Sequence, residues 1–182
     1  GGMGILVLAI AVMPMLGVGG MSLVKAESSG PMKDAKLTPR IAHTARALWL
    51  VYVTLNIACI LAYKMAGMGW FDAVVHGFST IGTGGYSSHD ASMAWFNSPA
   101  IEWVCIFFML ASSISYGLHF TAWRHGSFRD YWRDEEFQAF CLIVLGLWVL
   151  VSVPLVLYEQ YPTWQENLRY GIFQASSYGA TA

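Results

Sequence analysis

The run Thr80-Ile81-Gly82-Thr83-Gly84 offers the chemistry from which to build: a backbone able to present consecutive carbonyl oxygens to a monovalent cation. Such an ion gives up its hydration shell only to fixed oxygens, and an extended loop supplies them without a full negative charge. Gly82 and Gly84 permit positive φ and close approach around an axis, while the β-branched Thr80 and Ile81 stiffen the intervening turns. The preceding stretch, Phe71 to Ser79, reads as a short helix whose C-terminal end carries about half a negative charge toward the same ion. Asp72 is placed to cap that helix at its other end, and its charge is a second means of gathering cations, with Asp90 and Glu102 adding to the field. Asp72, His76, Ser79 and Gly85 are the expected supports of the loop.

Blander readings stand beside this one. A Gly/Ser-rich turn between two helices needs no ion, and a phosphate-cradling loop is the weaker rival, because Gly82-Thr83-Gly84-Gly85 has no following Lys and no strand-to-helix setting. The five histidines (His43, His76, His89, His119, His125) include no pair at metal-ligand spacing, so His76 is expected to pack or hydrogen-bond behind the loop. Asp72, His76 and Ser79 taken as a polar cluster leave open another class, a different membrane carrier or a membrane-embedded enzyme.

The elements that must hold the loop follow from composition. Of 182 residues, 56% are hydrophobic and 12% charged, about half the roughly 25% charge content of soluble domains. A net charge of -1 gives no basic excess for nucleic acid. Cys59, Cys105 and Cys141 are odd in number and lie far apart in apolar runs, which indicates neither a disulfide framework nor a zinc-ligand pair. Crossing about 30 Å of hydrocarbon takes some 20 apolar residues, and four runs meet or approach that length: 1–24, 47–69, 102–123 and 137–158. Pro14 and Pro154 fall inside two of them and predict kinks rather than ends. Residues 71–79 are too short to cross, which predicts a re-entrant hairpin ending in the loop 80–84. Glu166 to Ala182 looks similar roughly 95 residues later, so the chain reads as repetitive, an arrangement common in membrane transport proteins.

The few charges sort by side. Eight of the ten basic residues lie in two connections: Lys25, Lys33, Lys36, Arg40 and Arg46 in the first, Arg124, Arg129 and Arg133 in the second. The positive-inside rule places both connections in the cytoplasm and the loop outside. Asp134-Glu135-Glu136 reads as a solvated helix start, with a contact to a cytosolic subunit as the sharper alternative. Gly1 in place of Met, and Ala182 within an apparently structured segment, read as the ends of a fragment.

Thr80 to Gly84 matches the T-[VI]-G-x-G pattern of potassium-channel filters. With Gly1 to Gly4, Leu16 to Met21, Leu37 to Ala42 with Thr44 to Arg46, and Phe78 to Tyr86, essentially the whole chain resembles the TrkH branch of the Trk/Ktr/HKT potassium transporter superfamily. The resemblance implies an all-α integral membrane fold of repeated helix, re-entrant pore loop and helix, like a potassium channel. It further implies potassium uptake, channel-like or as a symporter, in the bacterial inner membrane, with no enzymatic activity and no cofactor besides the transported ion. K+ would bind through the backbone of Thr80, Ile81, Gly82 and Thr83, with Gly84 shaping the strand. The implied partners are the lipid bilayer, a second copy in a homodimer and a TrkA-like cytosolic nucleotide-binding subunit.

On that pattern, 1–24 is the last helix of repeat one and 25–46 a cytoplasmic linker. Residues 47–123 are a complete repeat two: helix 47–69, pore helix 71–79, filter 80–84 and helix 102–123. Residues 124–136 are a second linker, and 137–182 begin repeat three with helix 137–158 and a pore-helix region, 167–182. The family's later filters, its intramembrane gating loop and repeat four have no counterpart in this chain.

Overall fold

A computed structural model describes residues 41–158 and 163–180, with side chains from residue 47 onward; the first apolar run, Pro14, most of the first linker and residues 181–182 lie outside the described residues. Seven α-helices follow in order: α1 (Ile41–Met65), α2 (Trp70–Ile81), α3 (Pro99–Ser113), α4 (Tyr116–His125), α5 (Arg129–Arg133), α6 (Glu135–Leu157) and α7 (Trp164–Ala180), with a 3-10 turn at Ser92–Phe96. No strand occurs among the described residues.

Ala47–Met65 within α1 and the whole of α6 are long and apolar enough to cross a membrane, and α3 with α4 makes a third candidate bent by 94°. Both long helices expose large apolar side chains, Leu50, Ile57 and Leu61 on α1 and Leu142, Ile143 and Leu150 on α6. Such continuous apolar faces belong against lipid.

Helix α1 begins at Ile41, six residues before the apolar run that predicted it. The run marks where hydrocarbon begins, whereas backbone hydrogen bonding can start earlier. The helix stops short of residue 69: the chain turns at Gly67, whose φ of +103° suits glycine, and Lys64 Nζ donates to the Met68 carbonyl at 3.3 Å.

The predicted single helix 102–123 is broken. Ile114 takes an extended conformation (φ -78°, ψ 145°) between α3 and α4. The side chains supply the reason. Ser112 and Ser113 both donate to the Met109 carbonyl, at 2.9 and 2.8 Å, competing with the helical ladder. His119 Nε2 donates to the Ala111 carbonyl at 2.8 Å, so an acceptor at the break stays paired inside an apolar layer.

Helix α6 starts at Asp134, whose carboxylate accepts from the Phe137 N–H at 2.9 Å, and it continues through Pro154 to Leu157. Helix α7 begins at Trp164, earlier than the predicted 167. It returns along α6, with the Trp148 indole donating to the Leu168 carbonyl at 3.1 Å. Glycine sets both tight crossings. A Cβ on Gly77 would lie 2.5 Å from Ile60 Cγ1 between α2 and α1, and one on Gly171 would overlap Ser152 Oγ between α7 and α6. The buried cluster that joins α1, α2 and α3 includes Cys59, Tyr63, Ala73, Ile81, Cys105 and Met109.

Candidate functional site

Helix α2 packs against α1 and α3 and ends at the glycine loop. Its first turn carries Asp72 and its buried face carries Ala73, His76, Gly77, Thr80 and Ile81. The expected strand 80–84 is not extended throughout: Thr80 and Ile81 finish the helix, and Gly82 follows in the right-handed region (φ -78°, ψ 0°). The backbone ladder explains this, because the Gly82 N–H still donates to the Phe78 carbonyl at 2.9 Å. The Thr80 carbonyl accepts from Ser112 Oγ at 3.4 Å and from the Thr83 N–H at 3.3 Å, and the Ile81 carbonyl accepts from the Tyr116 hydroxyl at 3.5 Å. A helical end lets these oxygens find partners that an extended strand would forgo.

The chain then reverses hand. Thr83 has φ +48° and Gly85 φ +66°. For a β-branched residue that conformation is a true outlier, held only because its surroundings over-determine it. The surroundings are visible: the Gly84 N–H donates to the Ser79 carbonyl and the Tyr86 N–H to Ser79 Oγ, both at 2.8 Å. Behind the turn, Thr80 Oγ1 and the Tyr63 hydroxyl share a buried hydrogen bond of 2.8 Å.

His76 is buried and bridges helix to loop. Its Nδ1–H donates to the Asp72 carbonyl at 2.9 Å, which leaves Nε2 to accept from the Ser87 hydroxyl at 3.0 Å. With both ring nitrogens engaged and Ser79 Oγ accepting from Tyr86, His76 and Ser79 do not form a base–nucleophile pair.

Asp72 is not the helix cap that sequence suggested. Gly69 occupies that position with no side-chain cap, and the Asp72 carboxylate instead accepts from Ser88 Oγ at 2.7 Å and lies 3.2 Å from His89 Nε2. The Ser88 hydroxyl, and after it His89, hold the Asp72 carboxyl below the usual carboxylate range. His89 in turn stacks on Trp95 with ring centroids 4.6 Å apart. Asp72 therefore fastens the loop that follows the turn rather than the helix start.

Sequence reasoning missed the partners: Tyr63, Ser87, Ser88, Ser112 and Tyr116 are ordinary residues in ordinary runs. It also missed Arg169 on α7, whose Nε lies 2.8 Å from Glu102 Oε2 on α3 in a largely buried ion pair. Neither atom has an aligned hydrogen bond, so the contact is chiefly electrostatic. Among the described residues no three His, Cys, Asp or Glu gather as a metal site.

Helices long and apolar enough to cross a membrane, packed with a short helix that ends in a strained, glycine-rich turn, define an all-helical integral membrane class. The particular family follows from comparison: residues 1–163 match TrkH, a cation transport protein family, and the chain belongs to it. The chain is 51% identical over 182 residues to the Trk system potassium uptake protein TrkH of Halomonas elongata, covering 100% of this chain and 38% of that protein. To TrkH of Escherichia coli K12 it is 47% identical with the same coverage. The crystal structure of the potassium transporter TrkH from Vibrio parahaemolyticus superposes with a TM-score of 0.77 at 42% identity, covering 97% of this chain and 35% of that one. The chain thus spans a little over a third of its relatives' length. These relatives are transport proteins, not enzymes.

Proposed function

We propose that this chain is part of a potassium uptake protein, and that K+ passes along an axis lined by the backbone of Thr80, Ile81, Gly82 and Thr83, with Gly84 shaping the turn. Thr83 carries the reading: a β-branched residue at φ +48°, where a re-entrant helix ends between two spans, is a strained backbone at a place suited to an ion. The names of the relatives support potassium as that ion. Asp72, His76, Ser79 and Gly85 then serve as the frame that holds the loop.

Ion coordination requires the Thr80 and Ile81 oxygens to turn from Ser112 and Tyr116. At 3.4 and 3.5 Å those hydroxyl contacts lie beyond the usual 2.5–3.0 Å range and are easily displaced. Helices α1 to α4 make one repeat, and α6 with α7 begins the next; other repeats of the full subunit complete the axis. The same reading places the protein in the bacterial inner membrane with the Arg-rich connection α4–α5 in the cytoplasm. It includes a homodimer and a TrkA-like nucleotide-binding subunit on that side.

Gly82→Ser in the full-length protein is the direct test. At φ -78° a serine fits the backbone as it stands, so a loss of selectivity reports a conducting conformation that needs glycine. The expected result is a fall in rubidium over sodium flux in proteoliposomes with protein yield unchanged. Unaltered relative fluxes would remove the loop from the ion path.

A further inference from the structure

An aromatic–arginine pair occurs three times in eleven residues: Trp123-Arg124, Phe128-Arg129 and Trp132-Arg133. All three aromatics are exposed, Phe128 to 83%, and so are the three arginines. Two of the four nearby carboxylates are engaged elsewhere, Asp130 with His125 Nδ1 at 2.9 Å and Asp134 with the Phe137 N–H, while Glu135 and Glu136 lie in the first turn of α6. None of the three guanidiniums has an ion-pair partner among the described residues.

Beside this segment opens a cavity of about 340 Å³, walled by Val51 and Leu55 of α1, Ala122 and Trp123 of α4, and Phe128 and Tyr131 beyond it. An apolar cavity of this kind takes hydrocarbon in preference to water. One wall is a membrane span, so the cavity stands where lipid is the surrounding solvent. Helix α4 turns from α3 by 94°, a bend that lets α4 run along a membrane surface where α3 ends. Tryptophan is favoured at that depth, and arginine forks match phosphate oxygens.

We infer that residues 123–133 with this cavity form a binding site for an anionic phospholipid, the phosphate held by Arg124, Arg129 and Arg133 and an acyl chain lying against Val51, Leu55 and Phe128. The site is independent of the ion path. It needs a diacyl lipid with a net negative headgroup, which a zwitterionic lipid and free phosphate each lack in one part.

The test uses delipidated full-length protein, native mass spectrometry, and competition between dioleoyl phosphatidylglycerol and dioleoyl phosphatidylcholine. Wild-type protein is expected to retain phosphatidylglycerol preferentially, and the triple variant R124Q/R129Q/R133Q to lose about fivefold of that preference per arginine. These side chains are exposed, so the variant keeps its fold, checked by an unchanged melting temperature. Inorganic phosphate at millimolar concentration is expected not to displace the lipid. Equal retention of the two lipids by wild type, an unchanged preference in the triple variant, or displacement by phosphate alone would each overturn the inference.

Discussion

The α1–α2 pair and the α6–α7 pair each turn a long apolar helix back into a shorter one that opens at a tryptophan, Trp70 in the first and Trp164 in the second. Each second helix carries an acid in its first turn, Asp72 and Glu166, and makes a tight crossing at a glycine, Gly77 and Gly171. Every one of these correspondences is 94 residues apart. The ends differ. Helix α2 stops at Ile81 before Gly82, Gly84 and Gly85, whereas α7 has Ser176, Tyr178 and Gly179 at the matching places and runs on to Ala180. Where α2 has Val75, α7 has Arg169, paired with Glu102. Both pairs cross at a glycine, and Gly82 and Gly84, with the hydroxyls of Ser79 and Thr80, belong to the pair that ends in a strained turn. The other copy is fixed by an ion pair across to α3.

Removing one partner of that ion pair is the strongest way to probe the difference. Arg169→Met leaves Glu102 buried without its charge partner and is expected to cost about 3–5 kcal/mol, read as a fall in the melting temperature of the full-length protein. Glu102→Leu combined with Arg169→Met is expected to recover most of it. Val75→Met, at the matching position of α2, should change little; an equal loss there would mean that the clamp is not what separates the pairs.

Alanine at the two crossing glycines comes next. At Gly171 the new methyl meets Ser152 Oγ and lies 3.3 Å from Ser152 Cα, so the backbone must move; at Gly77 the nearest atom, Ile60 Cγ1, belongs to a side chain. Overpacking costs about 1–3 kcal/mol, with Gly171→Ala expected at the upper end and Gly77→Ala at the lower. A larger loss at Gly77 would reverse the ranking of the two crossings.

Ser87→Ala removes the hydroxyl bonded to His76 and to the His89 N–H. The expected effect is about 1 kcal/mol, seen as faster hydrogen exchange over residues 84–89 with α7 unchanged. Spread of the effect into α7 would show that the loops of the two pairs are coupled.

The smallest effect is a pH dependence confined to the first pair. Because Ser88 and then His89 hold the Asp72 carboxyl below its ordinary range, this tie is complete above the ordinary carboxylate pKa of about 4 and is released as pH falls through the lowered value. Exchange over residues 84–89, corrected for its intrinsic pH dependence, is therefore expected to stay flat from neutral pH to that point and to rise below it. Asp72→Asn should abolish the rise, and its persistence would assign the acid sensitivity to another group.

Much of this was legible in the sequence. Runs of apolar residues placed two spans within a few residues of their observed limits, and Gly82 to Gly85 located the turn. Residues such as Ser112 and Tyr116 were not legible, because a hydroxyl on an apolar helix has no pattern until a carbonyl from another helix lies opposite it. Asp72 misled for a related reason: its position in the first turn suggested a cap, and only the return of Ser88 across 16 residues of chain gave its carboxylate a better donor.

By itself the sequence determined the helical membrane class, the family and the place of the turn, since transfer into hydrocarbon and glycine's backbone freedom are properties of local stretches. The tertiary structure alone decided that the predicted helix 102–123 breaks at Ile114, that the Thr80 and Ile81 carbonyls face hydroxyls, and that Arg169 meets Glu102. Those outcomes depend on which polar groups are brought together from distant parts of the chain inside a layer with no water to satisfy them.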